Sequence, residues 1–255
     1  MRSPEELRAL AEEYVRDLAL TPELGALEEA VRYGLEGGKR IRAVICMATA
    51  EAAGTEPEAA LPAAASLELV QAFSLVHDDL PALDNDELRR GRPSTWKRFG
   101  EPAGILAGDA LLAEAFRLAL SYPSAAAGRE LAQATLGMIG GQYLDITGDT
   151  DDLAALHRLK TGCLFAASVG LALGAAGVPI GEQGPWRAFG DELGLLFQIV
   201  DDILDGDGYV LTHGAEGARA LADEAAARAQ ARLAAIDADT SVLREIVAGL
   251  AVRTA

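Results

Sequence analysis

Two clusters of carboxylates in this sequence have the residue types and spacing for metal chemistry. Each follows an apolar run; the first contains Asp78, Asp79 and Asp84, and the second contains Asp201, Asp202 and Asp205. Unit charges about 4 Å apart repel by roughly 4 kcal/mol at an effective dielectric near 20, so converging carboxylates need cations or protons. Oxygen ligands without Cys or His suit a hard cation such as Mg²⁺, which usually binds one or two carboxylates together with substrate phosphates.

Basic residues near the first cluster offer partners for those phosphates. Arg89 and Arg90 follow it directly, and their planar guanidinium groups match phosphate oxygens. Lys39 and Arg42 lie at an expected helix start, which attracts anions through free N–H groups and the helix dipole. The residues alone therefore predict a Mg²⁺–phosphate site. The alternative is two exposed acidic patches at helix C-termini, although the helix dipole disfavours acids there.

The spacing inside each cluster agrees with shared ion binding. Asp201 and Asp205 are four residues apart, an offset of only about 40° on a helix. Asp78 and Asp84 are six apart, about 120° on an unbroken helix. Pro81 lies between them and cannot donate to the helical ladder, so a break there would let Asp84 fold back toward Asp78.

Helical periodicity covers almost the whole chain, and no convincing strand alternation is present. The chain is 50% hydrophobic, and alanine and leucine dominate, both good helix formers. We predict an all-α fold, one domain over residues 1–255, and a polar functional loop over 84–102. Gly140 and Gly141 inside a helix indicate close packing or space for a ligand. The ten expected helices span about 4–18, 22–35, 39–53, 62–80, 103–121, 125–146, 153–175, 184–204, 218–236 and 241–251.

Composition narrows the class of protein. A formal net charge of −17 argues against nucleic-acid binding, which needs a basic footprint. Cys46 and Cys163 lie in apolar segments outside any CxxC pattern, and we expect buried free thiols in a reducing compartment. The most apolar segment, 163–180, falls short of a membrane span. No secretory signal is visible, because Ser3 and Glu6 predict a helix start, and we expect a cytoplasmic protein.

Several ordered motifs together resemble those of one family. They are Gly-Gly-Lys-Arg-Ile-Arg at 37–42, DDxxxxD at 78–84, Arg-Arg-Gly-Arg-Pro at 89–93, Gly-Asp-Ala-Leu-Leu at 108–112, Gly-Gly-Gln at 140–142, Lys-Thr-Gly at 160–162, and Phe-Gln leading into Asp-Asp-Ile-Leu-Asp at 197–205. From about residue 34 to 205 the sequence resembles trans-isoprenyl diphosphate synthases of the polyprenyl synthetase family, most closely bacterial farnesyl or geranylgeranyl diphosphate synthases.

The resemblance implies helices around a central apolar cavity and a role for each motif residue. The two substrates would be isopentenyl diphosphate and an allylic diphosphate, and each active site would bind several Mg²⁺ ions. Members of the family commonly form homodimers, so the resemblance also implies a homodimer. Metal ions would bind Asp78, Asp79, Asp84 and Asp201, supported by Asp202 and Asp205. Arg89 and Lys160 would bind the allylic diphosphate, Lys39, Arg42 and Arg90 the isopentenyl diphosphate, and Thr161 and Gln198 would face the allylic carbon.

Phe73, five residues before Asp78, resembles the pocket floor of short-chain members and would stop the product at farnesyl diphosphate. The alternative is an ordinary core phenylalanine, and with it a geranylgeranyl diphosphate synthase.

The sequence also departs from the family pattern. The loop that usually follows the second acidic cluster is short, no lysine occurs after Lys160, and Gln71 stands where relatives often have a histidine. Gln71 can still donate a hydrogen bond to isopentenyl diphosphate. These departures keep open a non-catalytic partner subunit. A terpene cyclase is also possible, although cyclases lack the basic motif at 37–42.

Overall fold

The computed structural model describes residues 1–150 and 152–253 and is built from α-helices. Ten helices of eight or more residues occur in this described part of the chain, as expected, with two further helices of five residues. They are α1 (Pro4–Arg16), α2 (Glu28–Leu35), α3 (Ile41–Ala52), α4 (Leu61–Asp78), α5 (Thr95–Phe99), α6 (Glu101–Ala119), α7 (Ala126–Thr147), α8 (Leu153–His157), α9 (Cys163–Ala175), α10 (Gly184–Asp205), α11 (Tyr209–Ala234) and α12 (Ser241–Ala251).

Helix α4 is the buried centre of the fold and carries the first acidic cluster at its end. Its residues are apolar on nearly every face, as expected of a helix enclosed by others. The helix ends at Asp78, and the chain then turns at Pro81 so that the Asp84 N–H donates to the Asp78 carbonyl at 2.9 Å. The predicted break and fold-back are therefore present.

The segment after α4 contains structure that the sequence did not predict. Leu88–Arg89 and Arg92–Pro93 form a small antiparallel hairpin, and α5 follows it. The two connecting residues, Arg90 and Gly91, both have positive φ (54° and 75°), as a two-residue hairpin turn requires. Strands of two residues are too short to show alternation, so the loop prediction over 84–102 was wrong in detail.

One predicted helix, 153–175, is continuous but contains a π-helical turn at Arg158–Gly162. This turn packs against α7 at Gly141, where an added Cβ would lie 2.3 Å from the Lys160 backbone nitrogen. Gly141 therefore permits close packing, which was one of the two predictions for the glycine pair. An added Cβ at Gly140 would meet nothing within 4 Å.

Helix α11 begins at Tyr209, nine residues before the predicted start near 218, and is interrupted at Gly214 (φ 72°, ψ 166°). Its first N–H group is held by α10, since the Tyr209 N–H donates to Asp202 Oδ2 at 2.8 Å. The connection between α10 and α11 is only Gly206–Gly208, as the short loop predicted. The cap comes from the preceding helix, and Gly208 at the usual capping position has no side chain, so the common start signal of a helix is missing.

One stretch, Pro57–Asp78, has the length and hydropathy of a membrane span, and 67% of the window is buried inside the protein. Core helices share these properties, so this is weak evidence for a span. Cys46 is buried, whereas Cys163 is only half-buried, and both are free thiols. The expectation of two buried cysteines was therefore correct for Cys46 alone.

Candidate active site

The two acidic clusters contribute to one cavity of about 480 Å³ between α4, α7, the π-turn and α10. Asp78 reaches it from the end of α4 and Asp201 from the last turn of α10. The remaining wall is mainly apolar; its predicted members are Arg42, Gln71, Phe73, Lys160 and Thr161, and further members include Met138, Ile139, Tyr143, Ile146 and Phe197. The structure thus joins residues that are more than 100 positions apart in sequence.

The carboxylates in this cavity favour protons or cations. Burial raises the pKa of Asp78 to about 6, against the attraction of Lys160, and Asp84 and Asp79 raise it further. Burial also raises the pKa of Asp201, as does the charge of Asp205. Like charges brought together in a low-dielectric site are stabilised by bound cations.

Two cations from separate helical segments, Arg42 of α3 and Lys160 of the π-turn, line the same cavity. Lys160 leaves the π-turn and forms a close ion pair with Asp145 of α7. The Arg42 guanidinium lies over the rings of Phe165 (4.6 Å) and Phe197 (5.9 Å). Burial lowers the pKa of Arg42 to about 10, and its buried Nε has no hydrogen-bond partner among the described residues. An anion bound in the cavity would stabilise the charged form of Arg42.

A second basic surface lies beside the cavity, on the hairpin. Arg89 Nε donates to Asp79 Oδ1 at 2.9 Å, and Asp79 is only 2% exposed. Arg90 extends over Gly37 and Gly38 and donates to the Glu36 carbonyl at 3.0 Å. An added Cβ at Gly38 would lie 3.1 Å from the Arg90 guanidinium, so these glycines permit the close approach.

Aromatic stacking holds this hairpin against α2. Arg92 lies 4.0 Å from the centroid of the Tyr33 ring, and the Tyr33 hydroxyl donates to the Pro93 carbonyl at 2.6 Å. Arg98 of α5 covers the same ring at 4.5 Å. Tyr33 therefore fixes Arg92 and Arg98 in this segment.

Several predicted site residues do not line the cavity. Asp79 and Arg89 bind each other, Lys39 and Asp205 are exposed, and Asp202 is buried. Gln198 donates to Asp202 Oδ1 at 2.6 Å and lines a neighbouring cavity of about 540 Å³ on the far side of the π-turn. Their predicted roles in metal and substrate binding stay predictions.

Two residues near the site, His157 and Arg253, were missed by the sequence analysis, and Arg40 of the basic motif has a role that the motif did not indicate. His157 ends α8 and stacks on Tyr209, with Nδ1 3.7 Å from Asp202 Oδ2. Arg253, after α12, brings Nη1 to 3.9 Å from Asp201 Oδ1. Arg40 is buried against Glu68 (3.4 Å), so this cation of the helix-start motif is structural. Lys39 is exposed whereas Arg40 is buried, so neighbouring cations of this motif have different environments. Such a difference in burial is the one signal that could have indicated the structural role of Arg40.

The oxygen donors fit a hard divalent cation that is shared with a ligand. Within residues 1–150 and 152–253, no three acid, His or Cys side chains converge to hold a metal alone. Mg²⁺ does not need such a cage, because one or two carboxylates and phosphate oxygens complete its octahedron. Asp78 and Asp201, with Asp84 and Asp205 beside them, would supply those carboxylates.

A family model described as polyprenyl synthetase matches residues 25–219, which include both acidic clusters. The chain belongs to the polyprenyl synthetase family. A chloroplastic relative from Arabidopsis thaliana, the large subunit 1 of a heterodimeric geranylgeranyl pyrophosphate synthase, is 43% identical over 70% of this chain. The farnesyl diphosphate synthase of Geobacillus stearothermophilus is 41% identical over 71% of it.

The fold of this chain is similar to that of solved prenyl synthases. A geranyltransferase from Legionella pneumophila has a TM-score of 0.87 and 30% identity, with 97% of this chain and 95% of that chain covered. The matches span 54% of the Arabidopsis protein and 67% of the Geobacillus protein. The family and the all-α fold predicted from sequence are therefore confirmed, while relatives named for both products leave the product open.

Proposed function

We propose that this protein is a short-chain prenyltransferase that condenses isopentenyl diphosphate with an allylic diphosphate. One observation carries the proposal: Asp78 and Asp201 line one largely apolar cavity together with Lys160 and Arg42. Acids for metal, cations for phosphate and apolar walls for a hydrocarbon chain are the three requirements of that reaction.

Residues in and beside the cavity would bind the charged groups of the substrates, and its apolar walls would hold the hydrocarbon chain. Bound Mg²⁺ would neutralise the diphosphate and promote its departure as pyrophosphate. Lys160 and Arg89 would bind the leaving diphosphate, and Arg42, Arg90 and Lys39 the diphosphate of isopentenyl diphosphate. Thr161, with Gln198 after a side-chain rotation, would face the allylic carbon. Apolar walls exclude water, which would quench the allylic cation before the isopentenyl double bond attacks it.

The product that we favour is farnesyl diphosphate, with geranylgeranyl diphosphate as the second candidate. Phe73 lines the cavity five residues before Asp78, about 7.5 Å deeper along α4. Its ring would therefore limit the growing chain. Relatives named geranylgeranyl pyrophosphate synthases favour the longer product.

The domain organisation, the location and the oligomeric state of the protein are proposals as well. We expect one domain over the whole chain, a cytoplasmic location and a homodimer. Exposed apolar residues on α6 and α7, such as Ile105, Leu106 and Leu136, support an association through these two helices.

Product analysis tests the proposed function directly. Purified protein is incubated with Mg²⁺, labelled isopentenyl diphosphate and each allylic primer in turn, with Asp78→Asn as the inactive control. Label in a fifteen-carbon diphosphate supports the proposal in full, and a twenty-carbon product retains the synthase but not the Phe73 floor. Cyclic hydrocarbons would instead indicate a terpene cyclase. No extension by folded, metal-loaded protein would indicate a non-catalytic subunit.

A further inference from the structure

A histidine next to the first acidic cluster contacts the proposed floor residue. His77 and Phe73 lie one helical turn apart on the same face of α4, and both line the cavity. Their rings meet edge to face, with centroids 4.9 Å apart and planes inclined by 69°. This arrangement is attractive for aromatic rings and restricts how each of them rotates.

His77 is itself fixed from the other side by α6. Its Nε2 lies 3.0 Å from the Ile105 carbonyl oxygen. A carbonyl only accepts, so Nε2 carries the proton and donates it. A Cβ at Gly108 would lie 2.1 Å from the same Nε2, so only glycine at this position leaves room for the ring.

We propose that His77 is a positioning residue that holds the Phe73 ring across the cavity and thereby sets product length. Helix α6 fixes His77 through Ile105 and Gly108, and His77 fixes Phe73. Phe73 alone could swing aside and let a longer chain pass. The inference rests on the proposed function, since it concerns the length of the product made in this cavity.

A double-mutant cycle tests whether His77 acts through Phe73. The measured quantity is the ratio of twenty-carbon to fifteen-carbon product from geranyl diphosphate, at equal substrate conversion. We expect His77→Ala to raise the ratio by roughly two- to tenfold, the range of one aromatic pair. In a Phe73→Ala background the same change should add nothing, because the ring that His77 positions is gone.

Matched variants separate this role from general damage. His77→Leu keeps bulk in the core and removes the flat ring and the N–H, so it should fold and shift the ratio in the same direction. His213→Ala removes an exposed histidine of α11, outside the cavity, and should leave the ratio unchanged.

The outcomes distinguish this inference from the proposed function. If Phe73→Ala lengthens the product but neither His77 variant does, the positioning role is wrong and the synthase stands. If the His77 effect is equally large with and without Phe73, His77 is itself the wall, and the inference fails. If the unaltered protein extends no primer, the proposed function has failed first.

Discussion

Replacing Arg42 by methionine should stabilise the empty protein while it weakens diphosphate binding. The buried guanidinium has no hydrogen-bond partner for Nε among the described residues, and burial lowers its pKa to about 10. At about 1.36 kcal/mol for each pKa unit, this depression corresponds to roughly 3 kcal/mol of unfavourable interaction. That figure is an upper value, because part of the side chain faces the cavity, which water can enter.

An opposing term comes from the rings of Phe165 and Phe197. A cation over aromatic faces gains about 0.5–2 kcal/mol, and methionine would keep the apolar contact but lose this attraction. We therefore expect a net gain of about 1–2 kcal/mol, or a rise in Tm of a few degrees at about 2–4 °C per kcal/mol for a chain of this size.

Thermal unfolding with and without isopentenyl diphosphate measures both effects. One lost charge-assisted hydrogen bond costs about 1.5–3 kcal/mol, so the Kd should rise roughly 10- to 150-fold and the ligand-induced rise in Tm should shrink accordingly. Arg8→Met, at an exposed arginine of α1 paired with Glu12, should change neither quantity. A lower Tm for ligand-free Arg42→Met, or an unaltered Kd, would refute the reasoning.

Three further predictions concern stability. Burial raises the pKa of Asp78 to about 6, so its ionisation is disfavoured in the folded state, and the free energy of unfolding of metal-free protein should fall by up to about 3 kcal/mol between about pH 4 and pH 6. Asp78→Asn should reduce this fall in EDTA, while the raised pKa of Asp201 keeps part of it, and an unchanged pH profile would count against the burial. Gly141→Ala should lower Tm, because its Cβ would meet the π-turn backbone at 2.3 Å, whereas Gly140→Ala should raise it slightly; equal effects would disprove the packing argument. Asp202→Asn should cost about 1–3 kcal/mol in urea unfolding through a lost buried hydrogen bond, while Asp205→Asn at the exposed position should not, and equal costs would contradict the capping role.

Local chemistry explains which parts of this molecule could be predicted from sequence. Pro81 ends α4 and returns the chain to Asp78 because of a property of proline itself, and helix periodicity found the ten longer helices. The hairpin at 88–93 depends instead on Tyr33, which is 60 residues from Pro93, and the start of α11 depends on Asp202 of the preceding helix. A window around the hairpin does not include Tyr33, and the residue before Tyr209 is a glycine without a capping side chain, so the usual start signal of a helix is missing there.

Helix geometry also explains why the sequence analysis did not show which aspartate of each acidic motif lines the cavity. Adjacent residues on a helix point about 100° apart, so two neighbouring aspartates cannot face one cavity equally. In both clusters the first carboxylate, Asp78 or Asp201, lines the cavity, while the second is buried and paired.

The second carboxylate of each pair instead joins the site to the segment that follows it. Asp79 holds the basic hairpin through Arg89, and Asp202 holds the start of α11 through the Tyr209 N–H. Each doublet therefore has two roles: one carboxylate lines the cavity, and the other fixes the following segment against its helix. Because a buried carboxylate is stable only when it is paired, each doublet needs a partner from the segment that follows it. The short connection Gly206–Gly208 meets that constraint directly, since an added Cβ at Gly208 would lie 2.0 Å from Asp202 Oδ2.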